Sequence, residues 1–331
     1  MLNEISQHLK KIIHEFKEED LLIFNNNLIN INKNNFEVIP SPTLAIQNTQ
    51  TIAFVDGGQA EILSSGNFCL SFIKVGAVVF RNNQKITQPQ HQFYLLTTAK
   101  YVGEGVTNYA SSGAANGLFY ESKIFGDKLI DETDLFISST DDSIKIGIER
   151  APISRVADMA RRFAELSLAS QIKADFVILD GTLEQAYKNE EKYLTPLAET
   201  LTGKVCSLAK SSALFTASGN SPIVLLNKLG FKGCWHYFID DKAYFVKLHE
   251  KAKHIFRFMG DKEVLPLLVE NSRDALFLGY PYGLIAVDKF IRVSREEMNS
   301  LQMKLLLRAE NKDIAEYLST TNAHKILDNL G

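Results

Sequence analysis

The chain has 331 residues, 45% of them hydrophobic and 23% charged; that length suits one large α/β domain or two smaller ones, and that composition excludes a disordered chain. A formal net charge of −3 excludes a global pull on nucleic acid and leaves only local basic grooves for phosphate. No apolar run approaches the ~18 residues of a membrane helix, and the start lacks the uninterrupted apolar stretch of a signal peptide; three cysteines without a CxxC pair argue against structural zinc and for reduced thiols in a cytoplasm.

The first twenty residues, "MLNEISQHLKKIIHEFKEED", have the pattern of an amphipathic helix. The Asn-rich "FNNNLININKNNFEVIPSP" follows and reads as an extended connector ending in Pro40 and Pro42. The domain division this suggests is 1–42 for the helix and connector and 43–331 for everything else. Next come "TIAFVD", "FCLSFIKVGAVVF" and "QFYLLTTA", with the turn-rich "RNNQKITQPQHQ" joining the last two. Their β-prone composition and turn signals predict an antiparallel meander. Residues Asn108 to Asp142 are rich in Gly, Ser and Asp and show no clear pattern. "RVADMARRFAELSLASQI" has helical period, with Val156, Met159, Ala160, Phe163 and Leu166 on one face. "ADFVILDG" reads as a buried strand, "KVCSLAKSS" as another short one, and "CWHYFIDDKAYFVKLH" as a hairpin turning at Asp240-Asp241. "YPYGLIAVDKFIRVS" starts a helix after Pro281, and "REEMNSLQMKLLLRA" continues in helix. This order predicts an α+β or α/β sheet with helices on its faces.

Two strands end alike: "IAFVDGG" at Asp56 and "FVILDGT" at Asp180. Each has four apolar residues, then an aspartate, then glycine. Aspartate is disfavoured inside strands. At two strand ends, the pair can converge on one sheet edge and present the oxygen donors that Mg²⁺ or Mn²⁺ prefers. Two such ions stabilise the attacking and leaving oxygens of phosphodiester hydrolysis. Asp-Gly after a strand is also a common turn, so each motif alone carries little. No Walker lysine loop and no GxGxxG motif supports ATP or NAD binding.

"IAFVDGG", "VILDGTLE", "LAKSS" and "YPYGLIAVDKFIRVS" occur in the order, and with roughly the spacing, of the NurA nuclease family, which this chain resembles from Thr51 to its C-terminal helices. The resemblance implies an α/β fold: an RNase H-like core with a mixed sheet flanked by helices, an N-terminal helix and a C-terminal helical extension. It implies a Mn²⁺- or Mg²⁺-dependent deoxyribonuclease of the 5′–3′ exonuclease or single-strand endonuclease type, using two metal ions. It also implies a cytoplasmic homodimer that acts on single-stranded DNA and DNA ends, in end resection and double-strand break repair, with a HerA-like hexameric ATPase. By the same resemblance Asp56, Glu165, Asp180 and Asp288 are the metal ligands, while Tyr280 and Lys210 position the phosphate.

Two positions depart from the family pattern. Gly58 stands where Asp-Gly-Ser is usual, which removes a hydroxyl, and Asp288 stands where some members are expected to carry histidine. These departures sustain a second reading: a catalytically weakened DNA-binding or adaptor subunit of a translocase. Helical periodicity sets Glu165 opposite the stripe through Val156, Ala160 and Phe163, on a face expected to be solvated, and Glu149 is its rival for the glutamate position. Arg161 and Arg162 read as solubilising residues or as a lining for DNA. "KLHEKAKHIFRFMGDK", with five Lys or Arg, two His and two Phe, reads either as a phosphate-tracking groove with stacking rings or as a hairpin edge.

Overall fold

A computed structural model describes residues 2–14, 20–25, 27–41, 49–103, 116–199, 204–210, 214–229, 231–275 and 277–321. Pro42, Asn108 and Ser211 and Ser212 of the Lys-Ser-Ser match lie outside the described residues, as does much of the segment that begins at Asn108. In chain order the elements are helix α1 (Leu2–His14) and strands β1 (Leu21–Phe24), β2 (Asn27–Asn30), β3 (Phe36–Val38), β4 (Thr51–Ser65), β5 (Phe68–Arg81), β6 (Gln84–Thr87), β7 (Gln90–Val102), β8 (Gly117–Gly126) and β9 (Ile137–Ser138). There follow α2 (Arg155–Gln171), β10 (Phe176–Asp180), α3 (Glu191–Glu199), β11 (Lys204–Ala209), α4 (Pro222–Leu229), β12 (Trp235–Asp240), β13 (Ala243–Lys247) and β14 (Phe256–Met259). The last helices are α5 (Leu265–Asn271), α6 (Tyr282–Ile291), α7 (Arg295–Leu306) and α8 (Lys312–Thr321).

The chain forms two units. One comprises Thr51–Leu179, Leu183–Val205 and Gly283–Gly331. Its strands run in the order β10-β4-β5-β7-β8-β9, with β6 paired to β5. The meander β4-β5-β7-β8 is antiparallel, as its turn signals predict, and β10 lies parallel to β4. Within this sheet, antiparallel β4, β5 and β7 with parallel β10 on the far side of β4 are the arrangement expected of an RNase H-like core. A parallel neighbour needs a crossover connection, and α2, just ahead of β10, lies on that connection. Val156, Met159, Ala160, Phe163 and Leu166 of α2 are buried against Ala53, Val55, Ile73, Val75 and Val177 of the sheet. Full burial of a Phe or Leu side chain contributes about 1.5–3 kcal/mol, so this stripe fixes α2 on the sheet.

Strand β4 does not stop at Asp56. It continues through both glycines to Ser65, with Asp56 opposite Gly76, Gly57 opposite Val75 and Gly58 opposite Lys74. The aspartate therefore sits inside a fifteen-residue strand rather than at its end, a correction to the sequence expectation. The glycines serve close packing instead of a turn. A Cβ on Gly57 would stand 2.6 Å from Glu165 Oε1 and 2.8 Å from Arg161 Cγ, both on α2. A Cβ on Gly58 would stand 2.6 Å from the Ile291 carbonyl oxygen of α6, and one on Gly283 would overlap the Phe54 ring. Successive strand residues point to opposite faces, so α2 covers one face of β4 and α6 the other.

The second unit comprises Met1–Gln50, Asp180–Thr182 and Cys206–Tyr282. Its strands run in the order β3-β12-β13-β14-β11, beside a separate β1-β2 hairpin. The connector is thus folded: its Asn-rich sequence conceals β2 and β3, and Phe36 of β3 packs edge-on against Trp235 and Tyr237 at 4.8 Å. The expected β12–β13 hairpin forms, but its turn is Asp241-Lys242, one residue later than the expected Asp240-Asp241, because Asp240 pairs with Ala243 and Lys242 takes the left-handed region at φ 57°. Strand β14 lies between β13 and β11, and Phe256 and Phe258 are both buried, so these rings are not a stacking surface. Among the C-terminal helices, α7 does not continue α6. Ser294 starts it anew as an N-cap, its hydroxyl accepting from Glu297 N–H at 3.1 Å.

Candidate active site

Asp56 is 8% exposed, and its Oδ1 accepts the Gly57 N–H at 2.8 Å. Glu165 is 4% exposed, not solvated as its periodicity suggests. The reason is local. The glycine at position 57 admits α2 so closely that the side of the helix expected to face water also meets the sheet. Glu165 Oε1 is paired with Arg161 Nη1 at 2.6 Å, and the same guanidinium donates to the Gly57 carbonyl at 3.2 Å. Glu165 first, then Asp56 and Asp158, raise the Arg161 pKa and hold it as a cation against the cost of burial. Arg162 is likewise no free surface charge. It donates to Glu190 at 2.8 Å, and the fully buried Glu190 also accepts the Ala186 and Tyr187 N–H groups. Glu149, the rival glutamate, is exposed.

In the parallel pairing of β10 with β4, Leu179 lies opposite Val55, and Asp180 and Asp56 are the next residues of the two strands. Asp180 Oδ2 is paired with Lys210 Nζ at 2.6 Å. That ammonium also sits 5.4 Å from the centroid of the buried Tyr280 ring. Tyr280 touches two further rings, Phe256 at 5.3 Å and Phe277 at 5.8 Å. Three of the expected residues, Asp180, Lys210 and Tyr280, therefore form one connected group.

Asp288 lies on α6 with Leu284 and Ile291 buried beside it, as helical spacing predicts. Its carboxylate is partnered by Arg292, one turn on, at 2.6 Å. The carboxylate oxygens of this set are the donors a hard divalent cation takes, but Arg161, Lys210 and Arg292 each already hold one of them. Among the described residues, no group of three or more His, Cys, Asp or Glu side chains is arranged to hold a metal ion.

Sequence reasoning missed the part played by Arg161. The signal was present: Arg161 and Glu165 are four residues apart, the spacing at which charged side chains meet on a helix. It also missed that Gly57, Gly58, Gly76 and Gly283 make room for α2 and α6. A Cβ on Gly76 would stand 2.7 Å from Ile291 Cγ2.

No protein-family model matches the sequence, and no curated protein matches it. Among solved structures, the chain is similar to the NurA nuclease from Sulfolobus solfataricus at 14% identity, over 94% of each chain, with a TM-score of 0.48. It is also similar to Endonuclease V from Ciona intestinalis in complex with a 23mer DNA containing an inosine followed by a ribo-adenosine. There the identity is 11%, over 80% of this chain and 92% of that one, with a TM-score of 0.39. The catalytic domain of human Endonuclease V gives 12% identity over 80% of this chain and 90% of that one, with a TM-score of 0.39. Among the described residues, no helix is long and apolar enough to cross a membrane.

Proposed function

We propose that the protein is a metal-dependent deoxyribonuclease in which Asp56, Asp180 and Glu165, with Asp288 from α6, bind Mn²⁺ or Mg²⁺. The observation that carries this reading is the register of β4 and β10, which makes Asp56 and Asp180 the next residues after the opposed pair Val55 and Leu179. Two aspartates consecutive to one opposed pair, with a buried glutamate packed on the adjacent Gly57, form an expensive arrangement for an apolar sheet to keep. When bound, a divalent cation supplies Lewis-acid stabilisation of phosphoryl oxygens and a more acidic water. For that, Arg161 and Lys210 must yield a share of the carboxylate oxygens they hold. Lys210, carried over the Tyr280 ring, is then a cation available to a substrate phosphate. The resemblance in sequence motifs extends the proposal to a homodimer that cuts single-stranded DNA and DNA ends in resection, with a HerA-like hexameric ATPase.

A second reading is favoured by one observation: three of the four carboxylates already have Arg or Lys partners. In that reading the chain binds DNA as an adaptor and does not cut. Digestion of labelled single-stranded DNA in Mn²⁺ separates the two. The nuclease reading expects cleavage by the wild type that Asp56→Asn abolishes. Tight binding with no cleavage across Mn²⁺ and Mg²⁺ would favour the adaptor.

A further inference from the structure

The unit that contains the β12–β13 hairpin has a basic recess which the proposed active site does not use. Its volume is about 350 Å³, and Asn227, Phe231, Lys232, Lys247, Glu250 and Lys251 line it. The hairpin brings these residues together. Its register sets Trp235, at the start of β12, opposite Lys247, at the end of β13, so the chain entering β12 and the chain leaving β13 meet at one end. Gly233, at φ 88°, turns the entering chain into the strand just after Lys232. The leaving chain folds back at His249, whose Nδ1 and carbonyl oxygen accept the Lys251 and Ala252 N–H groups, both at 3.2 Å, and this presents Lys251. Asn227 of α4 ties the helix to that chain by donating to the Lys253 carbonyl at 3.1 Å.

Lys247 is the unusual member. It lies on the hairpin face that carries Trp235, Tyr237 and Phe245, none of them more than 1% exposed, and is itself half-buried. A cation drawn that far out of water needs a compensating anion. Among the described residues, no carboxylate is within ion-pair reach of Lys232, Lys247 or Lys251, Glu250 included. By contrast, Lys262 of the same unit pairs with Glu37 at 3.2 Å and Arg273 with Glu270 at 3.1 Å. Helix α4 carries its own cation, Lys228, in its last turn, so the three lysines are not needed to offset the negative end of that helix. Three lysines against one glutamate leave two positive charges in the recess, in a chain whose net charge is −3.

From this arrangement we infer that the recess is a second, non-catalytic site for a small molecule with two or three linked phosphates, a nucleoside di- or triphosphate or inorganic polyphosphate. Lysine ammonium groups are point charges suited to phosphate oxygens. Three of them match the multiple charge of linked phosphates, whereas a single carboxylate would leave most of it uncompensated. The volume falls within the ~300–1,000 Å³ of small-molecule sites and is too small to admit a folded partner or a duplex. Phe231 is held flat on Phe36 at 5.0 Å, with 7° between the planes, and gives the recess a rigid apolar wall that a base can cover. The sequence has no Walker lysine loop, so binding without hydrolysis is expected. The inference does not rest on the nuclease reading, whose Asp56 and Glu165 belong to the other unit.

The test is isothermal titration calorimetry of the full chain with ADP and, separately, with inorganic tripolyphosphate, both in chelator so that no divalent cation takes part. One saturable site per chain is expected, weakened by added salt. Lys247→Gln is expected to weaken binding about tenfold, the loss of one hydrogen bond between charged groups, and Lys247→Arg to keep most of the affinity. Replacing Lys232, Lys247 and Lys251 together with Gln should abolish binding, and with it the rise in melting temperature that ligand gives the wild type. ADP binding more tightly than tripolyphosphate would identify a nucleotide site, and equal affinities a site for inorganic polyphosphate. Asp56→Asn should bind both as wild type does, so this site and the nuclease reading stand or fall separately. Binding of neither ligand by the wild type would overturn the inference, as would wild-type affinity in a triple variant whose melting temperature is unchanged. So would displacement of ADP by polyglutamate or oligothymidylate as effectively as by tripolyphosphate, since the recess would then be one stretch of an open surface for polyanions.

Discussion

Gly58 lies against the backbone of Ile291: a Cβ at position 58 would stand 2.6 Å from the Ile291 carbonyl oxygen and 3.0 Å from its Cδ1. A backbone oxygen in a helix cannot swing away as a side-chain tip can. The glycine that departs from the Asp-Gly-Ser pattern is therefore a packing residue in this chain. Gly58→Ser, though it supplies the hydroxyl of the Asp-Gly-Ser pattern, is expected to destabilise the fold by about 1–3 kcal/mol through overpacking, read as a lower melting temperature. A serine variant as stable as wild type would mean that α6 does not approach this closely.

Asp56→Asn and Asp180→Asn test the proposed chemistry apart from the fold. Asparagine keeps the side-chain oxygen that accepts the Gly57 N–H next to Asp56. Either change removes a negative charge that metal binding requires. Each variant is expected to lose at least ~100-fold in Mn²⁺-dependent cleavage, the range seen when a group that stabilises transition-state charge is removed. Melting temperatures should stay within a few degrees of wild type. Near-normal cleavage by either variant would remove that aspartate from the site.

Much of the fold was legible in the sequence, and the failures share a cause. Alternating and apolar runs identified β5, β7, β10 and the β12–β13 hairpin, because burial of one sheet face leaves a periodic record. The Asn-rich connector hid β2 and β3, which are only four and three residues long and leave Leu28 and Val38 exposed, so Phe36 is the one buried residue in them and no periodic record forms. The two aspartates were legible as a pair, but the strand continuing past Asp56 was not. Local propensity gives two glycines to a turn, whereas here they admit helices on opposite faces. Glu165 was misjudged for the same reason. A single-helix periodicity argument cannot see a second contact made possible by a glycine elsewhere in the chain.

The Arg161–Glu165 pair predicts an asymmetry. Arg161 is one-third exposed and Glu165 almost wholly buried. Removing Arg161 strands a buried carboxylate, whereas removing Glu165 leaves a guanidinium that can reach toward water. Arg161→Met should thus cost more stability than Glu165→Gln, with about 1–3 kcal/mol for the former. If Glu165 is also a metal ligand, saturating Mn²⁺ should recover part of the loss in Arg161→Met by supplying the missing cation. Equal losses in the two variants, with no recovery in metal, would make the pair purely structural.

His236 predicts a pH dependence. It is buried on β12, which lowers its pKa below the ordinary value of 6.5; Glu37, 3.3 Å from Nε2, pulls the other way and Lys262 adds to the lowering. The unfolded chain takes up this proton near the ordinary value, and the folded chain resists it to a lower pH. Between those two values the unfolded state binds more protons, so stability falls as pH drops below about 6.5. In His236→Gln that share of the loss is absent. The melting-temperature gap between wild type and variant should therefore narrow from about pH 7.5 to pH 5.5. A gap constant across that range would show that the His236 site does not titrate with folding.

Asp288 decides whether α6 contributes to the site. Its carboxylate is 38% exposed and paired with Arg292, itself 69% exposed. An exposed pair four residues apart on a helix contributes about 0.3–0.5 kcal/mol, so Arg292→Ala should barely move the melting temperature. If that pair is the whole role of Asp288, Asp288→Ala will be equally mild and will cut as wild type does. If Asp288 is a ligand, Asp288→Ala should lose cleavage, Arg292→Ala should keep it, and Asp288→His should retain a measurable fraction, because imidazole also binds Mn²⁺. The three variants tested together separate a lost ligand from a lost ion pair, since only a ligand role makes Ala and His differ at position 288 while position 292 stays neutral. Asp288→Ala that is folded and fully active would leave Asp56, Asp180 and Glu165 as the whole of the proposed set.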